Sequence, residues 1–168
     1  MSVRERRLQS DYERLIKLVS IYRRNLTIEV ARGNPPEVYI LAVKGRSIAS
    51  LDVFDGKTPV YRQEHRMRVE FSADYPAISP RVTMLGPVFH PHIWPQNNVV
   101  CLGPWRITES LDNLVLRLCS VLFYDPSQFN WNSLANGEAA DWARRHQSMF
   151  PLDRLMKNSA ETEWSETA

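Results

Sequence analysis

Cysteine is scarce in this chain. Only 2 occur in 168 residues, too few for a disulfide framework, and that scarcity points to a reducing compartment. An excess of one charge sign is lacking too. Lys+Arg 21 against Asp+Glu 19 leaves a formal charge of +2, too weak a field to call for nucleic acid or an anionic membrane surface. No apolar stretch approaches the length that spans a bilayer. The opening MSVRERRLQSDYERL is charged from its start and lacks the apolar core of a signal peptide. No segment repeats. The length suits one well-buried domain and is too short to argue for two. These absences lead to the expectation of a soluble, cytoplasmic protein: one domain over residues 1–158, then a polar, aperiodic and mobile tail over 159–168.

What is present has an order. Over residues 4–24, Leu8, Tyr12, Leu15, Val19 and Tyr22 recur at steps of four and three and predict an amphipathic helix. At about 100° per residue, Arg7, Arg14 and Lys17 point away from that stripe. Strand character follows. Residues 26–30 alternate, 38–43 form a continuous apolar run, 66–71 alternate with Met67, Val69 and Phe71 inward, and 81–85 follow. Turns are marked by Asn34-Pro35-Pro36, Asp55-Gly56 and the stretch from Pro76 to Pro80. From Phe89 to Thr108 nothing is periodic, and Pro91, Pro95 and Pro104 exclude regular structure. Leu111, Leu114, Val115, Leu118 and Leu122 predict a helix over 110–123, and a further helix over 137–149 has Asn136 as its cap. The fold class is therefore α+β: an N-terminal helix, a four-stranded antiparallel meander, a long loop, then C-terminal helices.

The long loop carries the chemistry. In HPHIWPQNNVVCL, a cysteine stands at the exit of a stiff polar segment, immediately after two valines. A packing cysteine would more naturally lie within a periodic apolar run, as Cys119 does in LVLRLCSVLF. Cys101 reads as a thiol that partners can reach. Thiols are nucleophilic near neutral pH even when mostly protonated. The plainer alternative is a small buried residue filling space after Val100.

Several landmarks in order resemble the ubiquitin-conjugating enzyme family over roughly residues 5–150. They are Tyr75-Pro76, Pro80, His90-Pro91, Cys101-Leu102, a leucine-rich helix ending at Asp125-Pro126, and Asn136-Gly-Glu-Ala-Ala140. The resemblance implies that family's fold and chemistry, without metal or cofactor. Cys101 would accept a ubiquitin-like protein from its activating enzyme as a thioester and pass it to an amine of a target protein. The resemblance further implies that the basic residues of the first helix, Arg4, Arg6, Arg7, Arg14 and Lys17, dock an acidic surface of the activating enzyme. A solvated basic face reads equally well from the residues, and no aromatic platform supports nucleic-acid binding there.

The chain also departs from the family. His92 stands where the motif has an asparagine that steadies the oxyanion, so the candidate donors are His92, Asn97 and Asn98. His90 fits better as a residue satisfying loop backbone than as a general base. The connection after Cys101 is short, Trp105 takes over a packing role, and Ala77 replaces an apolar aromatic anchor; docking of a conventional RING ligase is not expected. Near the position that prepares the substrate lysine stand Asn132, Ser133 and Asp125. Amides and hydroxyls are poor bases, which favours positioning over proton abstraction. The compact, altered loops suggest a divergent, bacterial-type conjugation system with an antiviral role. Two other classes stay open: a non-catalytic scaffold of the same fold, and a cysteine hydrolase pairing Cys101 with His90 or His92.

Overall fold

The computed structural model describes residues 1–158; the tail expected at 159–168 lies outside the described residues. Helix α1 (Val3–Ile21) leads into β1 (Leu26–Gly33), β2 (Pro36–Leu51), β3 (Pro59–Glu70) and β4 (Arg81–Met84). Helices α2 (Leu111–Leu122) and α3 (Gly137–Arg145) follow, with short 3-10 turns at Pro126–Gln128 and Gln147–Met149. The strands form one antiparallel sheet in the order β1-β2-β3-β4, the expected meander.

β2 and β3 run to 16 and 12 residues, well beyond the apolar cores that mark them in the sequence. Their register shifts between Lys44 and Ser47 and again between Ile48 and Ser50. Each such irregularity resets which side chains face inward, so a simple alternation cannot be followed through it. At Gly45 the backbone has φ of 149°, and an added Cβ would stand 2.4 Å from the Phe123 ring. Glycine is required there because α2 ends with Phe123 pressed against the strand. α3 stops at Arg145 rather than 149: the N–H of His146 closes on Ala143, and a ring nitrogen of His146 lies 2.8 Å from the Trp142 carbonyl.

α1 begins with a capping box in which Ser2 and Glu5 satisfy each other's backbone N–H at 3.1 and 2.6 Å. Its buried line is Leu8, Asp11, Leu15 and Leu18. Tyr12, Val19 and Tyr22 lie at the edge of the core, partly buried, so the helix is rotated from the expected stripe. The reason is Asp11. Only 1% exposed, its carboxylate accepts hydrogen bonds from Arg7 Nε at 3.0 Å, Tyr75 Oη, and the Leu111 N–H at 3.0 Å. One acid thus ties α1 to the segment before β4 and to the first residue of α2. A buried charge persists only when so fully partnered. Arg7 also donates to the carbonyls of Ile107 and Glu109, so it does not point away to solvent as expected.

The main core lies between α1, α2 and the sheet, with Leu15, Leu41, Val43, Met67, Val69, Leu114 and Leu118 at its centre. A second cluster of Ile48, Tyr124, Trp142, Ala143 and Phe150 fills the end of the molecule beyond α2, joined by Phe89, Phe129 and Trp131. Between the two regions passes the loop that ends at Cys101.

Candidate functional site

The loop is built from short-range bonds at its tip and long-range bonds at its ends. Asn98 donates its N–H to Trp94 O at 2.8 Å, and Trp94 donates to Val99 O at 2.9 Å, closing a tight turn. Asn98 has φ of 59°, a conformation asparagine tolerates. The chain then returns to the sheet edge, where Val100 donates to Val82 O at 2.9 Å and buries its side chain. One residue later the N–H of Cys101 donates to His92 O at 2.7 Å. The two valines are therefore the anchor and the cysteine is the first residue past it. Its side chain is half-buried. Gly103, with φ of 69°, bends the chain away immediately afterwards. Arg117 on α2 steadies that exit: Nη1 donates to Leu102 O at 2.7 Å, while Nε and Nη2 grip Glu109 at 2.9 and 2.8 Å.

Two histidines hold the loop from beneath. His90 is fully enclosed, its ring 4.6 Å from Tyr124 and 5.4 Å from Phe129, centroid to centroid. Its Nδ1 accepts the His92 N–H at 3.0 Å. Loss of water, with His92 close by, pushes its pKa well below the ordinary histidine value, only partly opposed by the Val121 carbonyl. His92 accepts the N–H of Asn130 on Nε2 at 3.0 Å, which places the ring proton of the neutral form on Nδ1. Burial lowers its pKa as well, against the Ser133 backbone. Pro91 O receives the N–H groups of Ala135 and Asn136 at 2.9 and 3.0 Å. Residues 90–92 thus fix the segment 130–136 beside the thiol.

Cys101 lies where two cavities meet. The smaller, about 120 Å³, is lined by His92, Cys101, Arg117, Gln128, Asn130 and Ser133, among others. The larger and more open one, about 560 Å³, has Ser79, Pro80, Arg81, Val99, Cys101 and Ser133 on its walls. Of the residues singled out in the sequence, the structure gathers Cys101, His92 and Ser133. It separates the rest. His90 is sealed under the loop and lines neither cavity. Asn97 accepts the Val99 N–H at 3.0 Å, and Asn98 donates to Gly86 O at 3.4 Å; both belong to the turn and line neither cavity. Asn132 is exposed, its N–H held by Asn130 Oδ1 at 3.1 Å. Asp125 caps the 3-10 turn through the Ser127 N–H at 2.9 Å and lines a different cavity, of about 450 Å³, together with Cys119. Cys119 is a packing residue, and burial pushes its thiol up to about 12.

On α1 the basic residues divide. Arg4 is bound to Glu37 at 2.5 Å and to Ser72 O at 2.8 Å, and Arg7 is bound as described. Arg6, Arg14 and Lys17 stay exposed. Trp105 is half-buried against the main core and donates Nε1 to Pro76 O at 2.8 Å. Sequence reasoning missed Asn130, Gln128 and Arg117. The signal for Asn130 is faint: Asn-x-Asn-Ser is turn chemistry, and the turn is what presents its amide. Among the described residues no group of three or more His, Cys, Asp or Glu gathers as a metal site, and no helix is long and apolar enough to cross a membrane.

The family model described as "Ubiquitin-conjugating enzyme" matches residues 25–154. The protein named Ubiquitin-conjugating enzyme E2 2 in Candida glabrata is 32% identical over 113 residues, covering 65% of this chain and 64% of the relative. The protein of that name in Saccharomyces cerevisiae is 31% identical, over 65% of this chain and 62% of its own. The chain thus spans less than two thirds of the length of these curated relatives. Among solved structures, a ubiquitin conjugating enzyme from Trypanosoma cruzi superposes with a TM-score of 0.61 at 20% identity, covering 87% of this chain and 93% of that one. One from Plasmodium yoelii gives 0.59 at 17%, covering 89% of each. At these identities the structural likeness concerns the fold.

Proposed function

The chain belongs to the ubiquitin-conjugating enzyme family, and from that premise we propose that it carries a ubiquitin-like modifier as a thioester on Cys101 and transfers it to an amine of a target protein. The observation that carries this reading is the position of Cys101: half-exposed, one residue past the sheet-edge anchor, at the meeting of two cavities. In loading, the Cys101 thiolate attacks the carbonyl carbon of the modifier's thioester on the activating enzyme. A new S–C bond forms, the old one breaks, and the activating enzyme leaves as thiolate. In discharge, a neutral target amine attacks the same carbon, the N–C bond forms, Cys101 departs as thiolate, and the ammonium proton is released to water. Among the described residues no carboxylate lines either cavity at Cys101, so positioning is the main contribution of the protein.

Two residues have distinct parts in this proposal. His92 is a positioning residue: its Nε2 already accepts the Asn130 N–H, and what it does is hold the 130–133 segment at the thiol. Asn130 is the oxyanion donor, because its Oδ1 is used by Asn132 while its Nδ2 has no protein partner among the described residues and the residue lines the cavity. Ser133 lines both cavities and helps orient the amine; Asn132 and Asp125 act, if at all, through the turns they build. The activating enzyme docks on the exposed Arg14 and Lys17, while Arg4 and Arg7 hold the chain's own fold. Ala77 offers no aromatic anchor, so a conventional RING ligase is not part of this proposal. A hydrolase reading lacks a base: one imidazole is sealed, and the other has its free nitrogen engaged. The relatives named above are eukaryotic, so a bacterial, antiviral setting draws no support from them.

The test is a loading assay with an activating enzyme, ATP and its modifier, read on a non-reducing gel. The expected adduct is removed by thiol reductant, absent in Cys101→Ala, and either absent or reductant-stable in Cys101→Ser. An adduct that persists in Cys101→Ala and maps to Cys119 would overturn the assignment. His92→Ala and Asn130→Ala are expected to load normally and to discharge to free lysine roughly tenfold or more slowly, with the larger loss in Asn130→Ala because it removes the oxyanion donor itself. His92→Gln, which retains an acceptor, restores part of the rate.

A further inference from the structure

The small cavity at Cys101 continues along Leu102, Pro104 and Arg117 into a groove lined also by Arg106, Thr108, Glu109 and Asn113. The other cavity at the thiol has Arg81 on its wall. The fixed charges along the two cavities at the sulfur and the groove that continues from them are therefore Arg81, Arg106, Arg117 and Glu109, since burial lowers the pKa of His92 and its Nε2 accepts the Asn130 N–H. Glu109 is the one carboxylate among these, and both its oxygens are taken by Arg117 at 2.9 and 2.8 Å. Arg81 and Arg106 are exposed, and their guanidiniums have no ion-pair or hydrogen-bond partner among the described residues. The walls that lead away from the sulfur thus carry two guanidiniums without ion-pair partners among the described residues, in a protein whose net charge of +2 is otherwise almost balanced.

From this charge arrangement we infer that the modifier carried on Cys101 has an acidic C-terminal tail, whose carboxylates pair with Arg106 and Arg81 and which this groove prefers over a basic tail. The inference rests on the thioester-carrier reading and adds the chemistry of its cargo. A tail bonded through its terminal carbonyl to Cys101 must lie against one or both of these walls. An acidic side chain near its end meets a free guanidinium, which can grip it in a bidentate way; a lysine or arginine there meets like charge, and the groove's one carboxylate, Glu109, is already held by Arg117. Because both arginines are exposed, the preference is modest and sensitive to salt.

Direct acylation tests this without an activating enzyme. Short peptides ending in Gly-Gly, with two glutamates, two serines or two lysines just upstream, are supplied as thioesters of 2-mercaptoethanesulfonate. The Cys101 thiolate attacks the peptide carbonyl, the S–C bond to the peptide forms, and mercaptoethanesulfonate leaves as thiolate. Intact-mass spectrometry follows the rate. At low salt the glutamate peptide is expected to react about two- to fivefold faster than the lysine peptide, with serine between them, and high salt compresses the ratio. Arg106→Glu, and with it Arg81→Glu, brings the ratio to one or inverts it. Equal rates for all three peptides, with acylation confined to Cys101, overturn the charge preference and leave the carrier reading standing. A ratio unchanged in the doubly substituted chain also overturns it. Acylation that persists in Cys101→Ala overturns the carrier reading itself.

Discussion

The core under α1 and α2 and the cluster under the cysteine loop are built on different plans. The first is largely aliphatic and comes from periodic elements: Leu114, Val115 and Leu118 of α2 share one buried cluster with Leu41, Val43 and Val69 of the sheet. The second is aromatic and comes largely from loops: Phe89, Tyr124, Phe129, Trp142 and Phe150 meet edge to face or tilted, with centroids 5.0 to 6.2 Å apart. The difference lies in what each must hold. Helices and strands satisfy their own backbone groups, so their core needs only volume. A loop leaves backbone groups open, and aromatic residues fill volume while offering a polar tip. Tyr124 Oη donates to Phe89 O, and Trp142 Nε1 donates to Lys57 O at 2.7 Å. Trp105, at the edge of the first core, does the same for Pro76 O. The site is held by aromatic rings with one polar end, each bonded to a backbone carbonyl.

The sharpest way to break this comparison is Trp142→Ala, expected to cost about 3–5 kcal/mol in urea unfolding. Hydrogen exchange should rise first in residues 89–93 and 129–136; a uniform rise across α2 and the sheet would erase the distinction between the regions. Leu114→Ala should cost about 2–5 kcal/mol with no preferential loosening of the cysteine loop.

Acidification comes next. Unfolded imidazoles take a proton near pH 6.5, while His90 and His92 resist it in the native state because burial lowers both. The unfolded chain then binds more protons below that pH. Their stabilising effect is complete above about pH 6.5 and is lost as pH falls, by up to about 1.4 kcal/mol per pH unit for each excluded proton. His65, buried in β3 and also lowered, adds to the slope, and imidazole NMR titration separates it from the loop pair. A flat stability between neutral and mildly acidic pH would contradict the neutral, buried state of these rings. Tyr124→Phe should have the smallest effect, about 0.5–1.5 kcal/mol for one hydrogen bond, detected as faster exchange around Phe89 rather than as a large shift in midpoint.

Much of the scaffold was legible because it is periodic. Every residue of the expected stripe on α2, from Leu111 to Leu122, is buried, and the inward residues Met67, Val69 and Phe71 are buried as read. The separation of Cys119, packed in a helix, from Cys101, at a loop exit, was also visible. The partners that shape the site were not. Asp11 binds Tyr75 and Leu111, 64 and 100 residues away, and His92 meets Asn130 across 38 residues. No local pattern encodes such pairs. Asn97 and Asp125 carry side chains suited to the chemistry yet spend them on turns, and Asn98 spends its own on the Gly86 carbonyl.

The sequence by itself determined the order of elements, the inward faces of the sheet and α2, and which of two thiols emerges from a loop, because these follow from short-range periodicity and breakers. Only the tertiary structure decided that His92 is tied to Asn130, that Arg7 is held inside, and that the guanidiniums of Arg81 and Arg106 stand without partners among the described residues. Those outcomes depend on which distant groups share a wall, and burial leaves a polar group no choice but the neighbour it finds there.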